Sequence, residues 1–258
     1  AVSAGFLAAR LGPVGWGRSW KAEGVSAPVL VGQSMGGYVA QVFDVLFPGR
    51  ACGIVSVDSA PLGRDYYKRW ELACLPFVTR MFYLYPWGTL KKASTEGNAA
   101  TPEGRAIMSS ILAGYEKGEY CRLSAHGFAM LAEVVRSDEY AAPTAPLTLI
   151  VGELDRTGFV LKYNELWSER TGLPVRWIEG AAHNSNADNP AAVNAIIEEA
   201  LRKATEVAPG GLRRLQALAA ASQLANDRAQ MFGARVANFQ TIVRETALAG
   251  QILLECFR

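Results

Sequence analysis

Three short stretches of the sequence carry residue types that can do acyl chemistry together. Gly32-Gln33-Ser34-Met35-Gly36-Gly37 has the form G-x-S-x-G, directly after an apolar run and directly before a helical pattern. That form suits a nucleophile elbow: a serine on a cramped strand-to-helix turn needs small neighbours, and the turn lifts its hydroxyl above the sheet. The helix behind it offers backbone N–H groups and the positive end of a dipole. A serine hydroxyl is a poor nucleophile at neutral pH unless a base stands beside it. His183, in Gly180-Ala181-Ala182-His183-Asn184-Ser185, is the candidate base. The acid that orients the imidazole and stabilises its protonated form is expected in Gly152-Glu153-Leu154-Asp155. Asp155 is the first choice there, with Glu153 and Asp58 as competitors. Asp58 also reads as a turn residue ahead of Ser59-Ala60-Pro61. The other histidine, His126, falls within a helical pattern and reads as a packing or capping residue.

These groups need a scaffold that brings distant parts of the chain to one rim. Residues 28–31, 53–57, 147–151 and 175–178 are short, β-branched, apolar runs bounded by Gly, Pro, Asp or Ser. They lack polar alternation, as strands of a parallel sheet covered on both faces should. Helical patterns follow the first run, over residues 36–47, and the fourth, over residues 190–203, where Asn189 is the expected N-cap and Pro190 the first helical residue. Strand and helix in alternation predict an α/β fold with right-handed crossovers.

Between the second and third runs the pattern changes. Tyr66, Tyr67, Trp70, Phe77, Phe82, Tyr83, Tyr85 and Trp87 crowd its first part, Thr101-Pro102-Glu103 reads as a helix start, and another helix is expected over residues 126–135. Residues 62–141 are therefore expected to form a helical cap over a core made by residues 1–61 and 142–204. Residues 205–258 read as a helical tail, rich in Ala, Leu, Gln and Arg.

Composition narrows the classes of function. The chain has 258 residues, 50% hydrophobic and 19% charged, which is enough to bury a real core. Lys plus Arg number 26 and Asp plus Glu 24, and neither sign forms a long block. No nucleic-acid or acidic-membrane surface is expected on that basis. The four cysteines are far apart and there are two histidines, so neither a structural zinc site nor a disulfide framework is expected, and no cofactor. No apolar run is long enough to span a bilayer, and the expected location is cytoplasmic. A dinucleotide-binding fold is disfavoured, because no G-x-G-x-x-G follows any strand.

Taken together, the elbow at Ser34, the acid turn at Asp155 and the histidine loop at His183 resemble the α/β-hydrolase superfamily, in its form with a helical cap. The resemblance covers residues 23–203. It implies that the four strands correspond to strands five to eight of that fold, mostly parallel, and that Ser34, His183 and Asp155 form a Ser-His-Asp triad. It further implies that Met35 gives one oxyanion-hole N–H, and that an acyl-enzyme is formed and then released by water. Because dehalogenases and epoxide hydrolases of this fold use Asp as nucleophile, a serine leaves ester, thioester or amide hydrolysis, acyl transfer, C–C hydrolysis or perhydrolysis. An esterase acting on a small apolar substrate is the leading expectation. Tyr66, Trp70, Tyr83 and Trp87 would wall the acyl pocket, the alternative being ordinary cap packing.

The chain departs from the family pattern before Ser34. Only 33 residues precede it, no His-Gly pair occurs there, and no strands can be read in residues 1–20. The expectation is a hydrolase fold lacking its N-terminal strands, with its central strand uncovered on one side. That edge, or the C-terminal helices around residues 231–243, would then mediate association between copies. A catalytically impaired homologue acting as a binding protein is the alternative function.

Overall fold

A computed structural model describes residues 28–140 and 142–207. The expected tail beyond residue 207 and the segment before the first strand lie outside these residues. Four parallel strands, β1 (Val29–Gln33), β2 (Gly53–Val57), β3 (Leu147–Gly152) and β4 (Val175–Ile178), lie side by side in chain order. Their registers run Val29 to Gly53, Ile54 to Leu147 and Leu149 to Val175. Among the described residues β1 has β2 as its one strand neighbour. The first strand extends two residues further than its apolar run suggested, since Gly32 and Gln33 still pair with Ser56 and Val57.

The sheet is covered on both faces, which explains strands without polar alternation. Val55, Val57, Ile150 and Ile178 pack against Val193 and Ile196 of α8 (Pro190–Val207). Leu30 and Ile54 face the other way, onto Ala40 and Phe43 of α1 (Met35–Leu46). Fully burying one such aliphatic side chain is worth about 1.5–3 kcal/mol, so these two layers hold the sheet. β4 departs from the expectation of full cover: Trp177 is 40% exposed.

Between β2 and β3 run α2 (Arg69–Val78), a 3₁₀ turn (Thr79–Leu84), α3 (Trp87–Asn98), α4 (Pro102–Ala113) and α5 (Lys117–Ser137). α4 starts where the sequence indicates, with the Thr101 hydroxyl accepting from Gly104 N–H. α5 is longer than expected and carries His126 in its middle, exposed rather than packed in a core. α6 (Val160–Thr171) joins β3 to β4, and a short α7 (Ser185–Asp188) precedes α8. Asn189 caps α8 by accepting from Ala192 N–H.

α1 ties the layers together. Val42 joins Leu72, Leu131, Val134 and Val135 in a cluster that seats α2 and α5 on it. The buried Gln41 side chain donates to Ala60 O and accepts from Leu62 N–H, pinning the chain as it leaves β2. The buried Asp44 carboxylate accepts from Thr144 and Ala145 N–H and holds the chain as it returns to β3.

Candidate active site

Ser34 sits between β1 and α1 with φ 49° and ψ −115°, in the left-handed half of the map that a side chain rarely adopts. Its N–H donates to Val57 O, which fastens the turn to the neighbouring strand. The glycines around it are required by contact. A Cβ on Gly32 would fall on the backbone of Gly36 and Gly37, and one on Gly37 would fall on Ser59. Met35 opens α1, so its N–H is among the amides at a helix start that have no intrahelical partner.

The structure brings Ser34, His183 and Asp155 together. His183 Nε2 lies 2.8 Å from Ser34 Oγ, and His183 Nδ1 lies 2.8 Å from Asp155 Oδ2. Asp155 is buried in the turn after β3, and its other oxygen accepts from Thr157 N–H. Of the three candidate acids, Asp155 is the one in contact with the imidazole. Glu153 points to solvent. Asp58 is fully buried at the end of β2, but its Oδ1 accepts from Gly152 N–H and its Oδ2 from the N–H and hydroxyl of Ser185. The Asp58 carboxylate therefore links the end of β3 to the segment that carries His183. That role exceeds a local turn.

The histidine segment is clamped from every side. Gln33 Nε2 donates to His183 O and Asn184 Oδ1, and Leu154 N–H donates to Ala181 O. A Cβ on Gly152 would strike the carbonyl oxygens of Ala181 and Ala182, so β3 meets this loop at backbone contact. Asp188 ties the loop to the helices above: its carboxylate accepts from Ala182, Ala100 and Thr101 N–H and from the Thr101 hydroxyl. Burial alone would raise its pKa, but these hydrogen bonds outweigh it and hold the carboxyl below the usual range.

Electrostatics favour a charged imidazole. Burial works against His183 becoming protonated, yet the hydrogen bond and charge of Asp155, joined by the charge of Asp58, lift its pKa above the ordinary histidine value. Burial pushes the Asp58 carboxyl up to about 7, against the lowering pull of His183 and of the Ser185 and Gly152 hydrogen bonds. Burial drives the phenol of Tyr38 on α1 up to about 12, with a smaller push from the charge of Asp155.

Three of the four aromatic residues proposed to wall a pocket make ring contacts with other side chains of the described residues. The Tyr66 ring lies under Arg170, Trp70 packs edge-on against Phe159, and Trp87 packs on Tyr120. Tyr83 is 47% exposed, and its backbone carbonyl accepts from Lys117. Nearer the elbow stand Gly127, Met108 and Asn184, which the sequence reading did not select as site residues. The Met35 side chain reaches Gly127 on α5, and Asn184 Nδ2 contacts Met108 Sδ on α4. Spacing could not reveal them, because their approach depends on how the helices sit over the sheet. Among the described residues no three His, Cys, Asp or Glu side chains gather where a metal could be held.

Comparison with known proteins identifies the family and the fold. The sequence pattern described as the alpha/beta hydrolase family matches residues 4–196. The chain belongs to that family. An alpha/beta hydrolase fold protein from Burkholderia ambifaria superposes with a TM-score of 0.51 at 17% identity, covering 71% of this chain and 70% of the other. A 2-hydroxy-6-oxo-6-phenylhexa-2,4-dienoate hydrolase from Rhodococcus sp. strain RHA1 gives 0.53 at 19% identity, over 71% and 66% of the two chains. A carboxylesterase structure from Nitrososphaera gargenis gives 0.52 at 14% identity, over 74% and 70%. The chain thus spans about two thirds of the length of these structures, and the likeness establishes the fold. A comparison with curated protein sequences yields no match. Among the described residues no helix is long and apolar enough to cross a membrane.

Proposed function

We propose that this member of the hydrolase family is a serine hydrolase that cleaves carboxylic esters, with thioesters and amides as chemically related substrates. The observation that carries the reading is the unbroken line from Ser34 Oγ through His183 to Asp155, with both contacts at 2.8 Å. His183 Nε2 takes the hydroxyl proton as Ser34 Oγ attacks the acyl carbon. Asp155 holds Nδ1–H and stabilises the imidazolium that results. The negative oxygen of the tetrahedral intermediate faces the start of α1, where the Met35 N–H donates to it. Collapse expels the alcohol, which takes the proton from His183 and leaves an ester on Ser34. Water, deprotonated by the same imidazole, then releases the acid and restores the serine.

Residues 62–141 serve as a cap above this line. Met108 and Gly127 at its underside, with Met35 of α1 below them, favour a small apolar acyl group over a charged one. A fluorophosphonate probe, which reacts with an activated serine, tests the reading. Labelling is expected at Ser34, absent in Ser34→Ala and slowed by about 10³-fold or more in His183→Ala. Release of nitrophenol from short-chain nitrophenyl esters should fall in parallel. A folded protein that takes up no label would overturn the proposal.

A further inference from the structure

α2 turns its apolar side outward. Trp70, Ala73, Cys74 and Phe77 stand at i, i+3, i+4 and i+7, one face of a helix, and all four are exposed. The inward side holds Leu72 and also the acid Glu71, which is buried and held by Lys162 and Tyr163. A helix that meets only water has the reverse arrangement. The stripe continues into the following 3₁₀ turn, where Met81 and Leu84, three residues apart and so on one edge, are 51% and 74% exposed.

Along the helix and turn that carry the stripe the exposed charges are cations, the nearest exposed acid in sequence being Asp65 ahead of it. Between residues 66 and 90 the exposed charged side chains are Lys68, Arg69 and Arg80, and the guanidinium of Arg80 lies over the Phe77 ring at 5.1 Å. At its other end Trp70 meets Phe159, 43% exposed and four residues beyond Asp155, so the stripe runs to the turn that supplies the acid. Near-balanced charge over the whole chain hides this local excess.

We propose that this stripe seats the protein on an anionic lipid surface. Exposed Trp, Phe, Met and Leu with arginine and lysine beside them match an interfacial helix, whose apolar side enters the acyl boundary while its cations meet lipid phosphates. A second copy is a poorer occupant. A two-fold contact would place the same patch on both sides and bring the cations of the two copies, Lys68, Arg69 and Arg80, into one interface.

The test uses the full chain with vesicles of phosphatidylcholine alone and of phosphatidylcholine mixed with phosphatidylglycerol, read by co-sedimentation, with light scattering for oligomeric state. Each cation near an anionic surface is worth about fivefold in partitioning. Binding is expected on the mixed vesicles, at least about tenfold weaker on the neutral ones, and reduced by salt. The double change Arg69→Gln with Arg80→Gln should cost on the order of twentyfold. Met81→Glu with Leu84→Glu should abolish binding while thermal melting is retained. Absence of binding to either vesicle, equal binding to both, or a dimer that the Met81 and Leu84 changes dissolve would each overturn the proposal. None of these readouts depends on hydrolysis, so their outcome is separate from the fate of the serine-hydrolase reading.

Discussion

Asp58→Asn probes the buried carboxylate beneath His183 through the pH dependence of stability. With both oxygens engaged by three donors, the native carboxylate leaves no acceptor site for an amide to spare. Whichever way Asn turns, its NH₂ faces either Gly152 N–H or Ser185 N–H, and one buried donor is orphaned at a cost of about 1–3 kcal/mol. A second effect opposes the first. The folded pKa of Asp58 is pushed up to about 7, and that of an unfolded Asp is about 3.9. A raised carboxyl pKa contributes stability that is present below the unfolded value and is lost as pH rises through the folded one. From pH ~5 to ~8 the native protein should therefore lose roughly 2–3 kcal/mol through this group, and the Asn variant should not. Urea denaturation at the two ends of that range measures it. The variant should be clearly weaker at the acid end, with the gap closing or reversing at the alkaline end. A gap that stays constant across the range would show that Asp58 does not change protonation there, and would refute the account of its burial.

Two further predictions concern the same rim. His183 must be neutral to accept the serine proton, and its pKa is raised, so labelling and ester hydrolysis should lose their rate below an acid limb lying above the ordinary imidazole value of about 6.5. A rate profile over pH checks this, and a limb at or below about 6 would contradict it. Gly152→Ala should drive the 181–182 backbone off β3 and depress both melting temperature and Ser34 labelling, because the new methyl meets two carbonyl oxygens. Gly97→Ala in α3, where a Cβ meets nothing within 4 Å, is the matched control. It should leave labelling unchanged and stabilise by about 0.4–1 kcal/mol.

What could be read from the sequence was what local sterics dictate. The elbow was legible because Gly32 and Gly37 stand where any side chain would collide with backbone or with Ser59. The strands were legible because burial on both faces removes polar alternation, and the exception, Trp177, is on the strand where that cover fails. The choice among Asp155, Glu153 and Asp58 needed the turn after β3, whose path lets Asp155 turn inward while Glu153, two residues earlier, faces solvent. The aromatic run from Tyr66 to Trp87 was read as a pocket wall, but residue type does not say which side of α2 faces the core. The side bearing Trp70 and Phe77 faces out. The expected tail, residues 205–258, and the association expected of it lie largely outside the described residues.

The order of the strands explains why Asp58 matters. Ser34, Asp58, Asp155 and His183 each follow one of β1 to β4, and the strands lie side by side in that sequence. The residue leaving β2 is thus set between the serine and the acid, near enough to His183 for its charge to act on the ring. A free carboxylate there would compete with Asp155 for the ring. The fold prevents that by committing both Asp58 oxygens to Gly152 and Ser185, so that the charge is felt by His183 while the contact is made by Asp155. On this argument the two acids have different duties: Asp155 sets the direction of the imidazole and contributes most to its basicity, while Asp58 sets where its loop sits and adds a smaller push to that basicity. Exchanging Asp58 for Asn should therefore lower the acid limb of the rate profile with the plateau largely kept, while Asp155→Asn should lower the limb and also remove about 10⁴-fold of the plateau rate.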